Sequence, residues 1–445
     1  MIDPGKYNVE AGVHKITDYR CVSRDMQHRS LKKRLYIHLD MNCYYAQVEQ
    51  QCFELQGFPI YIGGWYKDNG IARGIVATSS YEARLFGVKT GMSAFEAEQL
   101  CPHIIGMQAH YDKYKLISKE IHRTLKKFSP EIEKYSMDEY FLDITWLKDK
   151  PRKYLEDFAQ RLQDALFHEV HLYCSIGISY SKTYSKLASD LRKPKGITLV
   201  LNEEDVRREL WPLKLNEVWG IGSRRYKHLI NEGVITIENG IKRGKGIFQK
   251  IFGGYFGWMI WDMIAGNDRA RVLTEPAGTP EQLNYMHTFS DWTTDPDQFF
   301  GELCRGIHQL CYRMRGYGVR ARQFFCYLRV QDAGKKGFGF RFNTDGYTNL
   351  DDYILYEAWR QAEPRLKFLL KNGEKMRGVG IGTVQLNTKK QMELFFTEQE
   401  GKRDFYLAKD KVINQFGREY ICTAAMMNAV PGKTHFIERN NHEAG

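Results

Sequence analysis

The first sustained apolar run begins at Leu35. YIHL (36–39) has the length and composition of a buried strand and delivers Asp40 at its end, and YYAQVEQQCFEL (44–55) then repeats its apolar positions at helical spacing. Two strand-like runs follow, PIYIGG and IARGIVATSS, and then two short helices, YEARLFG and SAFEAEQLC; together they make a small insert over 44–109. A helix is expected from Tyr111 to Phe128. The strand EIEKYSM leads into Asp138 and Glu139, and FLDIT (141–145) returns as its hairpin partner. An amphipathic helix over 154–170 connects to the strand CSIGISYS (174–181) and the Lys-rich helix KTYSKLASDLR. With the insert set aside, the order from 36 to 200 is strand, helix, strand, strand, helix, strand, the split βαβ arrangement of antiparallel strands packed on two helices.

Residues 203–265 read as helical and include VWGIGSRRYKHLINEGVITI. The Gly-Ile-Gly turn at 220–222 would expose backbone N–H groups at a helix N-terminus, a ready phosphate site, although GxG alone is a weak signal. LTEPAGTPEQ (273–282) has linker composition. After it the same order recurs: strand MHTFSDW, helix 296–315, strands RARQFFCYLRV and FGFRFN, helix 352–370 and strand MRGVGIGTVQL, which makes a second split βαβ domain. On RARQFFCYLR, alternation is expected to put Arg320, Arg322 and Arg329 on one side and Phe325 toward the core.

Composition changes this picture little: 445 residues, 43% hydrophobic and 27% charged, describe a globular chain of several domains. Charge adds more. Lys and Arg outnumber Asp and Glu by 65 to 54, a net +11, and nine basic residues face two acids between Gly301 and Arg341, interleaved with aromatics. That suits a surface tracking a phosphate backbone, and equally a solvated basic sheet face. The nine cysteines show no CxxC pair and no zinc spacing, as expected of free thiols in a reducing compartment. The N-terminus lacks a secretory pattern, and FGGYFGWMIWDMIAG (252–266), the nearest approach to a membrane span, is broken by Gly and Asp262. A cytoplasmic protein without a membrane partner is expected.

The chemistry is carried by acids. Asp40 at one strand end and Asp138-Glu139 at a hairpin converge if their strands are neighbours, and three carboxylates together are costly unless cations neutralise them. Oxygen-only ligands favour two Mg²⁺ ions, for which Mn²⁺ can substitute, and such a pair activates a 3′-hydroxyl and stabilises leaving pyrophosphate. An isolated Asp-Glu pair, by contrast, is most often a plain hairpin turn.

LDMNCYYAQVE (39–49), SMDEYFLDIT (136–145) and GISYSKTYSKLASDLRKPKGI (177–197), with the Gly-Ile-Gly turn and GND (266–268), resemble in order and spacing the defining segments of Y-family translesion DNA polymerases, in the UvrX-like (ImpB/MucB/SamB) bacterial branch. The resemblance runs from about Leu35 to Asn387. It implies an α+β right-hand polymerase: a ferredoxin-like palm (34–43 and 110–200), small fingers (44–109), a helical helix-hairpin-helix thumb (201–270), a linker (271–282) and a split-βαβ little finger (283–390), between an N-terminal extension (1–33) and a tail (391–445).

By the same resemblance Asp40, Asp138, Glu139 and the Met41 carbonyl hold the metal. Tyr45 is the steric gate against a 2′-hydroxyl, with Tyr44 beside it, and Thr78, Tyr81, Arg84 and Lys182 bind the dNTP phosphates, with Lys186 and Lys193 in supporting roles. Gly220, Gly222, Arg224, Arg320, Arg322 and Arg329 contact primer-template DNA, and QMELF resembles a sliding-clamp peptide inserting Leu394 and Phe395 after Gln391. Asn42 stands where some relatives carry another acid, and Cys43 leaves the sugar and base environment open. The expected activity is low-fidelity, clamp-tethered translesion synthesis by a monomer in the damage response. The rival readings are a catalytically inactive DNA-binding scaffold, whose acid triad would be broken, and a nucleotidyl cyclase on a related palm, which would lack thumb and second domain.

Overall fold

The computed structural model describes residues 34–66, 72–274, 278–331, 338–387, 400–416 and 423–427. They belong to two compact units that part between Pro276 and Ala277.

In the first unit β1 (Tyr36–Met41) lies at the centre of a five-stranded sheet, its residues buried except for the partly exposed Asp40. A short helix, α1 (Tyr44–Glu49), follows directly and ends sooner than the apolar spacing implied. The insert then forms β2 (Ile60–Ile62), the small hairpin of β3 (Trp65–Tyr66) and β4 (Ala72–Arg73), and β5 (Thr78–Ser79). Helices α2 (Tyr81–Leu85) and α3 (Ala94–Leu100) and strand β6 (Ile105–Met107) complete it, with β5, β2 and β6 sharing a sheet. Ser80 and Ser93 cap α2 and α3 by accepting N–H bonds from Ala83 and Glu96, which is why these short helices start where they do.

The chain returns through α4 (Tyr111–Leu125), β7 (Ile132–Lys134), β8 (Glu139–Asp143), α5 (Arg152–Val170), β9 (Cys174–Ser179), α6 (Lys182–Leu191) and β10 (Ile197–Val200). The sheet order is β10-β9-β1-β8-β7. Strands β9, β1, β8 and β7 form the expected split βαβ sheet, and β10, parallel to β9, adds an edge strand that periodicity did not single out. Ile37 and Leu39 of β1 pack with Ile121 of α4 and Leu162 and Leu166 of α5, each such buried side chain contributing about 1.5–3 kcal/mol. The opposite face takes α6, where His38 Nδ1 bonds Ser189 Oγ at 2.7 Å. Gly177 of β9 permits that approach: a Cβ there would lie 2.0 Å from the Ser185 carbonyl oxygen of α6.

A short turn, α7 (Glu203–Asp205), leads to α8 (Ser223–Asn231), α9 (Ile237–Arg243), α10 (Lys245–Phe252) and α11 (Gly254–Ile264), which close a separate apolar cluster around Leu229, Phe248 and Ile260.

The second unit contains β11 (Asn284–Thr293), α12 (Pro296–Gly316), β12 (Arg320–Val330), β13 (Phe338–Thr348), α13 (Asp351–Lys371), β14 (Met376–Thr383) and β15 (Leu386–Asn387). Its element order repeats that of the first sheet, but the strands lie as β11-β14-β12-β13, so here β14 and β12 are central. The expectation for Phe325 is corrected. A register shift between Ala321 and Gln323 changes the phase of β12, so Phe324, Cys326 and Leu328 fill the core while Phe325 shares the outer face with Arg329. Two further helices, α14 (Glu400–Phe416) and α15 (Ala424–Met427), fall in the stretch read as a tail. Arg315 of α12 anchors α14 by donating to both Asp410 oxygens at 2.6 and 3.0 Å, and it also donates to Asp351 at 2.7 Å.

Candidate active site

Antiparallel pairing of β1 with β8 sets Asp40 directly across from Glu139, and the Met41 N–H donates to the Asp138 carbonyl at 2.8 Å. Residues separated by most of a domain in sequence therefore meet at one sheet end. Ser136 shapes the turn that presents the second pair: its hydroxyl binds the Asp138 carboxylate and accepts the Glu139 N–H at 3.0 Å.

Like charges this close need compensation, and α6 with its following turn supplies it. Lys193 Nζ lies 2.8 Å from Asp40 Oδ2, and Lys186 is ion-paired with Glu139. Burial raises the Asp40 carboxyl above its ordinary value against the pull of Lys193. Asp138 is pushed further, to about 6, by burial first and then by the charges of Glu139 and Asp40, with the Ser136 hydroxyl opposing. Burial works against the Lys193 charge, but Asp40 and Asp190 more than offset it and hold the ammonium above its usual range.

Asp40, Met41 and Asp138 line a cleft of about 370 Å³ together with Tyr44, Tyr45, Thr78, Tyr81 and Arg84 from the insert, so eight residues singled out in sequence share one wall. Tyr45 lies flat on Tyr114, centroids 4.5 Å apart at 16°, and edge-on to Tyr111 at 5.8 Å. Tyr44 is buried and donates its hydroxyl to the Tyr114 carbonyl at 2.6 Å. Cys43 stands between cleft and helix in a left-handed conformation, φ 38°, and burial pushes its thiol up to about 12, which leaves it a neutral packing group. The Arg84 guanidinium sits 4.8 Å over the Tyr81 ring and donates to the Ser79 carbonyl at 3.2 Å. Tyr81 carries a buried hydroxyl with no hydrogen-bond partner among the described residues, a donor suited to a ligand oxygen.

Two expected residues are placed elsewhere. Glu139 is set back from the cleft lining on Lys186. Lys182 is corrected outright: it is 3% exposed, bound to Glu133 and donating to the Arg271 carbonyl at 3.3 Å, and it does not line the cleft. The buried Lys182–Glu133 pair instead pins the segment leaving α11, since Leu273 N–H also donates to Glu133 at 2.9 Å. The cleft's lysine is Lys193, at the other end of α6.

The donors fit a hard divalent cation in chemistry, being carboxylates and a backbone carbonyl. Among the described residues no three His, Cys, Asp or Glu side chains form a ready cage, and Glu139 and Asp40 are ion-paired with Lys186 and Lys193. Burial first and then the neighbouring acids raise the Asp138 carboxyl, and a cation beside it would oppose both.

In the thumb-like region Gly220 takes φ 89° and Gly222 caps α8, with Gly222 and Arg224 exposed. Trp219, just before this turn, stacks on Phe141 of β8 at 6.5 Å and edge-on to Tyr135 at 5.0 Å, tying the turn to the acid-bearing hairpin. In the second unit Arg322 and Arg329 are exposed and Arg320 is half-buried. Gln391, Leu394 and Phe395 lie outside the described residues. Among the described residues no helix is long and apolar enough to cross a membrane.

The impB/mucB/samB family pattern matches residues 39–190, the stretch that carries the acids and most of α6. A DNA polymerase IV of Bacillus velezensis is 30% identical over 409 residues, covering 91% of this chain and 95% of the relative. The chain belongs to the impB/mucB/samB family of Y-family DNA polymerases. It is thus a DNA-directed DNA polymerase by class. A second relative of this Y-family chain, a DNA polymerase IV of Oceanobacillus iheyensis, is 29% identical over 408 residues, 89% of the chain and 93% of the relative. In fold it resembles a Y-family DNA polymerase chimera built on Dbh, with a TM-score of 0.65 over 78% of this chain and 98% of the other at 21% identity.

Proposed function

We propose that this polymerase carries out low-fidelity translesion synthesis on primer-template DNA, joining a dNTP to the primer 3′-oxygen as pyrophosphate leaves. The observation that carries the reading is the shared cleft, which joins two acids of the β1–β8 pair to the tyrosines, Thr78 and Arg84 of the insert. Asp40, Asp138, Glu139 and the Met41 carbonyl would hold two Mg²⁺ ions, which supply Lewis acidity to the attacking and leaving oxygens. Lys193, Arg84, Thr78 and Tyr81 bind the triphosphate, presenting positive charge and hydrogen bonds to its phosphate oxygens. Tyr45, braced by Tyr114, occupies the space under the sugar and excludes a 2′-hydroxyl.

The Gly220–Gly222 turn with Arg224, and the outer-face Arg320, Arg322 and Arg329, hold the DNA backbone without reading sequence. Gln391, Leu394 and Phe395 tether the enzyme to a sliding clamp, and the chain works as a monomer in the response to DNA damage. Primer extension on undamaged and abasic templates, with and without Mg²⁺, tests this reading. Metal-dependent, template-directed extension past the abasic site is expected; metal-independent products, or none on either template, refute it.

A further inference from the structure

Lys193 reaches the cleft from a tight turn that its own sequence does not favour. Lys195 is held at φ 64°, a left-handed conformation that a residue with a Cβ adopts only when its surroundings enforce it. The turn also closes on itself: a Cβ on Gly196 would sit 2.0 Å from the Arg192 carbonyl oxygen. The Lys195 peptide is gripped on both sides. Its N–H donates to Asn42 Oδ1 at 2.9 Å, and its carbonyl accepts from Gln163 Nε2, also at 2.9 Å.

Asn42 is 1% exposed, and its amide is oriented by the exchange with Ser175 Oγ on β9, donating at 2.9 Å and accepting at 3.2 Å. A backbone N–H can be answered only by an acceptor, so the oxygen must face Lys195. Gln163 is fixed in turn by donating to the Cys174 carbonyl at 2.8 Å. The residue two places after Asp40 therefore holds the turn whose lysine lies 2.8 Å from Asp40 and 2.6 Å from Asp190.

We propose that Asn42, with Gln163, is a positioning residue: the two amides lock the 192–196 turn so that the Lys193 ammonium is aimed into the cleft at the incoming triphosphate. This rests on the polymerase reading and on Lys193 as a phosphate ligand within it. Asn42 touches no reacting atom. Its effect passes through the backbone of Lys195, and the one amide satisfies Ser175 and Lys195 together.

Two readouts test it on the full chain. In steady-state incorporation, Asn42→Ala and Gln163→Ala raise KM for the dNTP roughly tenfold with kcat little changed, the pattern of lost uniform binding. Asn42→Asp, which restores an acceptor for the Lys195 N–H, recovers most of the loss. In protein without DNA or nucleotide, acetylation of Lys193 by an activated ester, read by mass spectrometry against exposed Lys153, rises several-fold in Asn42→Ala and returns in Asn42→Asp. Thermal melting identifies any variant that fails to fold, and for such a variant Gln163→Ala and Asn42→Asp carry the decision. Unchanged Lys193 labelling with unchanged KM overturns the proposal, as does labelling that rises while KM stays fixed. If wild-type protein extends no primer, the polymerase reading fails instead, and the labelling arm still decides whether the amides lock the turn.

Discussion

The Lys193 ammonium lies 2.8 Å from the Asp40 carboxylate at the cleft wall, at the C-terminal end of the helix whose first residue, Lys182, is sealed against Glu133. Different phenotypes follow. Lys193→Ala raises KM for the dNTP and costs less stability than Lys182→Ala, because its pair with Asp40 is the more exposed of the two. Lys182→Ala strands a buried Glu133 and costs about 3–5 kcal/mol of stability, the range for breaking one side of a buried pair. Paired melting curves and kinetics distinguish them; an undiminished melting temperature in Lys182→Ala contradicts the structural role.

Tyr45 is held by its stack on Tyr114 and by Tyr111, so it cannot easily swing aside for a larger sugar. Tyr45→Ala is expected to raise ribonucleotide insertion relative to deoxyribonucleotide insertion roughly tenfold or more. Competition between a dNTP and its matching rNTP on one primer measures this. A preference that does not move removes Tyr45 from the sugar contact.

Asp138 titrates at about 6 in the folded protein against an ordinary 3.8, because burial and the neighbouring acids penalise its charge. With the folded value raised, its contribution to stability is complete below pH of about 4 and is lost as pH rises through about 6. In chelator, Asp138→Asn therefore gains stability relative to wild type across that interval and levels off above it. Urea melts of the two proteins in parallel buffers check the sign, and a constant difference across the interval speaks against it.

Arg315 is 3% exposed at its side chain and satisfies Asp351 and Asp410 together. Arg315→Ala leaves the nearly buried Asp410 without the guanidinium that binds both its oxygens, while Asp351 keeps His308 at 2.6 Å, and the expected cost is about 3–5 kcal/mol within this unit. Hydrogen exchange is expected to show lost protection across the described part of α14 with β1 unaffected; full protection in the variant would mean that α14 is held by its apolar contacts alone.

Where the sequence was informative, short-range constraints left few options. Strands ending in Asp40 and bracketing Asp138-Glu139 were legible from apolar runs, and one antiparallel register joins them. Lys182 and Lys193 were not separable, because one opens α6 and the other sits in the turn after it, and composition does not say which end meets the cleft. The outward turn of Phe325 goes with the register shift between Ala321↔Thr348 and Gln323↔Asn343, which strict alternation cannot contain. The anchoring of α14 was hidden for a related reason: Asp410 looks like any exposed helix acid until the fold brings Arg315 to it.

If Asp40, Asp138 and Glu139 do the chemistry while other surfaces hold DNA, the acids can be removed without loss of DNA binding. Asp138→Ala and Glu139→Ala, each assayed for primer extension with Mg²⁺ and for primer-template affinity, test it most directly. Extension is expected to fall at least about 100-fold with affinity preserved; either variant extending primers at the wild-type rate would contradict the account.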